Sequence, residues 1–167
     1  MRNNIGAYLG KRAHTNPDLE ALYDPATSRR LTYAQSDRRA NRVANAMLRL
    51  GIKKGDRVAI LMMNSVEFFE SFAGLAKIGV IIVPLNWRLM ADELSYILKD
   101  SGATVLIYGN DFAEVAAALH DRGPGSNGTD IHHWIELSEG NERNPFATEY
   151  DDFSAQGGED TPDSDAG

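Results

Sequence analysis

The chain has 167 residues, no cysteine and a formal net charge of −7 at pH 7, with 43% hydrophobic and 25% charged residues. This length and composition are typical of one globular domain with a hydrophobic core, and they exclude disulfide bonds, thiolate metal sites and cysteine nucleophiles. We expect a cytoplasmic protein, because no apolar run reaches the roughly 18–20 residues of a membrane span and the N-terminus lacks the apolar core of a signal peptide.

The elements predicted along the chain are an N-terminal helix and hairpin, followed by alternating strands and helices. Periodicity and turn residues place helices over 4–14, between Thr32 and Gly51, and over 66–78, 92–100 and 111–121. The predicted strands lie at 21–24, 31–33, 57–62, 80–84, 104–108 and 131–137.

Two local features define the second predicted helix. Thr32 followed three residues later by Gln35 is a capping box, and Gly51 stands where a helix ends in a residue of positive φ. We expect this helix to bury Ala40, Val43, Met47 and Leu50. In the next helix we expect a buried face made of Val66, Phe69, Phe72, Ala73 and Ala76.

The strands after position 57 are near-continuous apolar runs. Such runs are typical of strands covered on both faces, and strands that alternate with helices join through right-handed crossovers. The predicted fold class is therefore α/β, with a mainly parallel sheet flanked by helices after a short N-terminal helix and a β-hairpin.

The strand–helix pattern stops near residue 138. We predict one folded domain over 1–137 and, over 138–167, an acidic segment rich in Gly, Pro and Ser that is largely disordered at its end. Within this segment, the residues with enough apolar surface to anchor part of it are Phe146, Tyr150 and Phe153.

Two motifs suggest chemistry that their context does not support. GPGSNG (123–128) has the spacing of a dinucleotide-binding loop, but it follows a helix and precedes a strand, the reverse of that fingerprint. His132 and His133 are adjacent on a strand and point to opposite faces, so we predict no metal site. With no nucleophile elbow, no P-loop and no basic pattern interleaved with aromatic residues, we predict no catalytic residue and no nucleic-acid partner.

Six phrases of the sequence occur in a recognisable order. They are TY at 32–33, LRLGIKKGDRV at 48–58, NSVEF at 64–68, AKIG at 76–79, PLNWRL at 84–89 and ELSYILKDSGATVLIY at 93–108. In this order and spacing they resemble the N-terminal region of the AMP-forming acyl-CoA synthetases, part of the adenylate-forming ligase superfamily. The resemblance covers residues 5–137 and is closest in character to fatty-acyl-CoA ligases.

The resemblance implies a two-step reaction carried out by a longer protein. ATP, with Mg²⁺ on its phosphates, activates a carboxylic or fatty acid as an acyl-adenylate, and the thiol of CoA then forms the thioester. In the family, a Ser/Thr/Gly-rich loop ending in Pro-Lys-Gly follows an acidic stretch like that at 157–163, and this sequence ends at Gly167 before such a loop. We therefore expect a truncated ligase that is inactive alone, binds none of these cofactors tightly by itself and needs the downstream domains as partners.

The resemblance also indicates one candidate contact with CoA. In some relatives, residues at the position of Asn86, Trp87 and Arg88 lie near the CoA nucleotide, which predicts that Trp87 stacks on adenine and Arg88 pairs with a phosphate. The alternative is that Asn86 and Arg88 only hold the turn through backbone hydrogen bonds.

The charge of the chain is unevenly distributed. Residues 1–100 carry 15 Lys/Arg and 10 Asp/Glu, whereas 101–167 carry 2 and 14. We expect one helix to present a solvated basic face of Arg38, Arg39, Arg42 and Arg49. Ordinary surface charge is one interpretation of the other cations, and peripheral contact with an anionic membrane is the second, through Arg2, Lys11, Arg12, Arg29 and Arg30.

Two alternatives to an enzyme fragment stay open. One is a stand-alone α/β binding module, flavodoxin-like or regulator-like, although the strand at 57–62 lacks the acidic cluster that such receivers carry at a strand end. The other is an interaction protein that pairs with the rest of the ligase in trans. Faces meant for that remainder would then favour a homo-oligomer.

Overall fold

The computed structural model describes residues 4–125 and 128–163. Its helices are α1 (Gly6–Thr15), α2 (Tyr33–Arg49), α3 (Val66–Lys77), α4 (Ala91–Ser101), α5 (Ala113–Asp121) and α6 (Tyr150–Ala155). Its strands are β1 (Glu20–Asp24), β2 (Arg29–Thr32), β3 (Arg57–Leu61), β4 (Ile81–Pro84), β5 (Val105–Gly109), β6 (His133–Leu137) and β7 (Thr148–Glu149). The described residues divide between two units, the first within 1–55, 64–81 and 154–167 and the second within 56–63 and 82–153.

The first unit contains α1, the antiparallel hairpin β1–β2, α2 and α3, all of which the sequence predicts. Thr32 Oγ1 accepts a hydrogen bond from the Gln35 amide at 3.3 Å, and Gln35 Oε1 accepts one from the Thr32 amide at 2.8 Å. Gly51 has a φ of +83°, and the amides of Gly51 and Ile52 donate to carbonyl groups in the last turn of α2. The predicted capping box and C-terminal glycine of α2 are therefore both confirmed.

Helices α2 and α3 approach each other through small residues. Ala40, Val43 and Met47 of α2 are fully buried, as predicted, while Leu50 is half-buried. A Cβ placed on Gly74 of α3 would lie 2.5 Å from the carbonyl oxygen of Ala40. The two helices therefore pack backbone to backbone at this point, and only glycine leaves room for that approach.

The buried face of α3 differs from the predicted one. Phe72, which we expected to be buried, is 36% exposed, whereas Glu67 and Glu70 are 4% and 3% exposed. Arginine side chains from β2 and α2 pair with both carboxylates, so α3 buries acidic residues that the apolar pattern assigns to solvent. The other members of the predicted face are buried or half-buried: Val66, Phe69, Ala73 and Ala76.

The described sheet has the strand order β4-β3-β5-β6-β7. The pairs β3–β5, β5–β6 and β6–β7 are all parallel, with Ile60 opposite Ile107 and Ile107 opposite Ile135. Every residue of β5 is buried, as expected for a central strand covered on both faces. The predicted α/β class and the mainly parallel sheet are confirmed.

Helices α4 and α5 cover one face of this sheet. Alternate residues of the strands, which share a face, join residues of both helices in one apolar cluster. The strand members include Leu61, Leu106 and Trp134, and the helix members include Leu94, Leu98 and Leu119. Leu94 and Leu98 of α4 are buried in this cluster, and Ile97 packs against it.

Residues 138–163 contain two elements that the sequence did not predict. β7 extends the sheet beside β6, with Thr148 opposite Ile135. α6 follows directly, and its Tyr150 and Phe153 are buried, while the half-buried Phe146 stacks on His120 with ring centroids 3.8 Å apart, so all three predicted anchor residues anchor the segment. Residues 164–167, the end of the segment predicted to be disordered, lie outside the described residues.

Candidate functional site after strand β4

The residues predicted to contact CoA lie in a turn that begins where β4 ends. The amide of Leu85 donates to the carbonyl oxygen of Ile60 at 2.9 Å, which keeps the start of the turn beside β3. Asn86 Oδ1 then accepts a hydrogen bond from the Arg88 amide at 3.0 Å, and the Asn86 carbonyl accepts one from the Leu89 amide at 3.1 Å. An asparagine that accepts from the backbone two residues on fixes a turn of this kind.

The side chains of Trp87 and Arg88 are exposed at this turn. Trp87 is 49% exposed, and Arg88 Cζ lies 4.9 Å from the centroid of its indole ring, within cation–π distance. Within the described part of the chain, the contacts of Arg88 are this ring and the turn itself. The turn thus presents an aromatic surface and a guanidinium group next to each other.

The two interpretations of this turn concern different atoms. Asn86 and the main chain of Arg88 hold the turn, as the structural alternative requires. The indole of Trp87 and the guanidinium of Arg88 take no part in those hydrogen bonds. Arg88 lies over one face of the Trp87 indole.

A buried polar cluster that the sequence did not predict lies at the carboxyl ends of β5 and β6. Glu136 Oε2 accepts from the Tyr108 hydroxyl at 2.8 Å and from the Asn144 amide at 2.9 Å. Glu136 Oε1 accepts from Asn110 Nδ2 at 3.0 Å. Asn144 Nδ2 donates in turn to Tyr108 Oη at 3.2 Å and to the Ala113 carbonyl at 3.0 Å. Burial raises the pKa of Tyr108, so its hydroxyl is a stable donor to the carboxylate.

This cluster lies where ligands often bind, but its hydrogen bonds join parts of the chain to one another. Ligands of open α/β sheets bind beyond the carboxyl ends of the strands. Here, however, both oxygens of Glu136 are already taken by donors from within the chain. The cluster therefore holds the loop around Asn144 against the strand ends. The sequence contains one indication of this cluster, the glutamate inside the otherwise apolar run HWIEL, because a buried carboxylate needs hydrogen-bonding partners.

The cations proposed for membrane contact have partners of their own. Arg29 makes two hydrogen bonds to Glu67, at 2.6 and 2.8 Å, and Arg30 pairs with Glu20 at 2.6 Å. Burial is the largest single effect on the pKa of Glu67 and raises it, but the Arg29 hydrogen bonds, a backbone hydrogen bond and the charges of Arg29 and Arg39 together outweigh burial, so the pKa is lowered. Lys11 and Arg12 lie over the rings of tyrosine residues, and Arg2 lies outside the described residues.

The basic face of α2 is paired rather than only solvated, contrary to our expectation. Arg39 donates to both carboxylate oxygens of Glu70. Arg42 pairs with Glu159, and Arg38 Nε lies 3.7 Å from the same carboxylate. The acidic C-terminal segment therefore neutralises part of this face, a contact between positions more than a hundred residues apart that no local pattern predicts.

The histidine pair, the glycine-rich loop and the absence of a membrane span can be compared with residues 4–125 and 128–163, which the structure describes. His132 precedes β6 and His133 is its first residue, and no group of three or more potential metal-ligating side chains occurs in these ranges. The loop at 123–128 is described only in part, because Ser126 and Asn127 lie outside the described residues. None of the described helices has both the length and the hydropathy needed to cross a membrane.

Comparison with known families identifies the group to which this fold and sequence belong. The model of the AMP-binding enzyme family matches residues 9–165. The chain belongs to this family. The resemblance to AMP-forming acyl-CoA synthetases is thereby confirmed.

Curated relatives of this AMP-binding family member are ligases several times its length. The chain is 53% identical over 116 residues to the long-chain-fatty-acid–CoA ligase FadD13 of Mycobacterium tuberculosis, covering 70% of this chain and 23% of the relative. It is 41% identical over 120 residues to a feruloyl-CoA synthase of an Amycolatopsis species, covering 71% and 24%. The chain thus spans about a quarter of the length of these relatives.

Solved structures show the same fold. The N-terminal domain of FACL13 from Mycobacterium tuberculosis matches with a TM-score of 0.86 and 41% identity, over 100% of this chain and 39% of that structure. The anthranilate–CoA ligase AuaEII, solved with anthranoyl-AMP, matches with a TM-score of 0.84 and 28% identity, over 95% and 29%.

Proposed function

We propose that the chain is the N-terminal part of an ATP-dependent acyl-CoA ligase that acts on a carboxylic acid of the fatty-acid class. The observation that carries this proposal is the family match over 9–165 together with 53% identity to a long-chain-fatty-acid–CoA ligase. In such an enzyme ATP and Mg²⁺ supply the adenylation chemistry and CoA supplies the thiol. The groups that bind ATP and Mg²⁺ belong to the remainder of the ligase, so residues 1–167 alone are inactive.

Within this ligase, the turn after β4 contributes to CoA binding. Trp87 stacks on the adenine of CoA and Arg88 pairs with one of its phosphates. The exposed indole and the guanidinium 4.9 Å from its centroid support this role, because both are held by a turn whose hydrogen bonds they do not make. A planar base and an anionic phosphate match that pair of groups.

Arg88→Ala in a ligase that contains this chain tests the role of the turn. We expect the KM for CoA to rise about tenfold, since a charge-assisted contact contributes roughly 1.5–3 kcal/mol. Acid-dependent exchange of pyrophosphate into ATP should be unchanged, because it precedes CoA binding. Arg49→Ala, an exposed arginine on α2, is the matched control and should alter neither rate. An unchanged KM for CoA in Arg88→Ala would assign the turn a structural role only.

A chimera distinguishes a ligase segment from a stand-alone binding module. Replacing the matching region of the Mycobacterium tuberculosis FadD13 relative with this chain should retain acyl-CoA formation, because a ligase segment completes the same scaffold. The purified chain by itself should release no pyrophosphate from ATP and fatty acid. A folded chimera without activity would favour the binding module, and acyl-adenylate formation by residues 1–167 would contradict the expected inactivity. The homo-oligomer and the peripheral membrane contact stay predictions.

A further inference from the structure

A groove runs along α1 in the first unit, remote in sequence from the turn after β4. It has a cavity volume of about 820 Å³, within the roughly 300–1,000 Å³ of small-molecule sites. One wall is α1, and other lining residues come from α2, from Lys77 at the end of α3 and from Thr161 and Pro162. The wall is firmly placed, because a Cβ on Gly6 would overlap the backbone amide of Lys77.

Gly10 lines the groove and has no side chain to enter it. A Cβ at this position would lie 3.5 Å from Asp37 Oδ1 and 3.7 Å from Lys77 Nζ, in ordinary contact with both. These two groups form an ion pair of 2.6 Å, in which the Lys77 side chain is only 6% exposed. A longer side chain at position 10 would therefore occupy the groove above the ion pair.

The lining favours an aliphatic ligand over a nucleotide. Apart from glycine, its apolar part consists of small aliphatic residues, Ala7, Ala13, Ala34 and Pro162. The lining contains no Phe, Tyr or Trp, and its one aromatic ring is the imidazole of His14. A flexible hydrocarbon needs only apolar surface, which these residues provide.

The charges of the groove favour a single negative charge on that ligand. Its lining contains three cations and one carboxylate. Two of the cations have acidic partners, since Lys77 pairs with Asp37 and Arg38 lies 3.7 Å from Glu159. Lys11, whose ammonium group lies 5.4 Å from the Tyr8 ring, makes no ion pair within residues 4–125 and 128–163. It is therefore the cation best placed to receive an anionic head group.

From these observations we propose that the groove along α1 is a second binding site, for an amphipathic monoanion with an aliphatic body and a carboxylate head. The body lies on the small apolar residues and the carboxylate pairs with Lys11. This site is distinct from the proposed CoA contact, because none of its lining residues belongs to the turn after β4.

Decanoate and decyltrimethylammonium, both below their micelle-forming concentrations, are the probes that test the site in the purified chain. Decanoate should shift the NMR signals of the Gly6 and Gly10 amides and bind at least about tenfold more tightly than the cation, corresponding to one favourable charge contact. Lys11→Ala should weaken decanoate binding several-fold. Arg12→Ala, the adjacent cation on α1 that also lies over a tyrosine ring but does not line the groove, should not.

Gly10→Leu tests the cavity itself. It should abolish binding of decanoate, whereas Gly10→Ala, whose methyl group fits, should leave the thermal midpoint no lower and binding detectable. Equal binding of both amphiphiles, or decanoate binding that survives Gly10→Leu in a folded protein, would overturn the proposal. The proposal would also be overturned if light scattering showed that the chain is a dimer and that Gly10→Leu is a monomer. The occupant of the groove would then be a second copy of the chain.

Discussion

Replacing Glu136 by methionine tests whether the polar cluster at the ends of β5 and β6 is the clamp that its geometry indicates. Methionine has a similar length but accepts hydrogen bonds poorly. The substitution therefore leaves three donors without their acceptor, namely the Tyr108 hydroxyl, the Asn110 amide group and the Asn144 backbone amide. It also removes the cost of burying a carboxylate, which offsets part of the loss.

The expected loss follows from the burial of those donors. A buried donor left unpaired costs about 1–3 kcal/mol. Asn110 and Asn144 are only half-buried, so their donors can reach water and the Tyr108 hydroxyl carries most of the penalty. We therefore expect Glu136→Met to lower the free energy of unfolding by about 1–3 kcal/mol. Tyr108→Phe alone should cost about 1 kcal/mol, and in combination the two should cost less than their sum, because the double variant has one fewer unpaired donor.

Urea denaturation of the four proteins in this cycle measures the coupling directly. Glu142→Met, at an exposed position in the same loop, is the control and should change the free energy of unfolding by less than about 0.5 kcal/mol. If Glu136→Met were as stable as this control, or if its effect added fully to that of Tyr108→Phe, the hydrogen bonds would not form the connected cluster described above.

Three further predictions concern the first unit. Gly74→Ala should lower the unfolding free energy by about 1–3 kcal/mol, because the added methyl group would meet the Ala40 carbonyl of α2. Gly10→Ala, where the methyl group makes only ordinary contacts, should leave the unfolding free energy unchanged or raise it by about 0.5–1 kcal/mol. Thermal midpoints measure both effects. Because the pKa of Glu67 is lowered on folding, its contribution is complete above the unfolded pKa and is lost as pH falls through the folded one. Glu67→Gln should therefore weaken the acid dependence of stability below about pH 4.5, and Glu20→Gln, in an exposed pair with the same hairpin strand, should not. Thr32→Ala should cost about 1 kcal/mol of unfolding free energy through loss of the capping box, a loss that Thr32→Ser should largely avoid.

The features that could be predicted from the sequence are those that neighbouring residues determine. Thr32 and Gln35 form a cap within one turn of helix, and Gly51 ends the same helix because its φ is positive. The apolar runs predict strands for the same reason, since each needs only its own residues to show that it is buried. The turn after β4 was singled out through the family resemblance, whereas the stacking of Arg88 on Trp87 was not predicted, because it depends on side-chain conformation.

The features that were missed depend on charged residues whose partners are distant in sequence. Hydrophobic periodicity assigns Glu67 to solvent, yet Arg29, 38 residues away, makes its burial possible. The same holds for Glu136, which an apolar strand carries into the interior, where three donors from two other segments meet it. In both cases the carboxylate is buried because hydrogen-bonding partners meet it in the interior. An acidic residue at a buried position of a predicted strand or helix therefore predicts a donor elsewhere in the chain. For Glu67 that donor is one of the arginines at 29–30 and 38–39, namely Arg29.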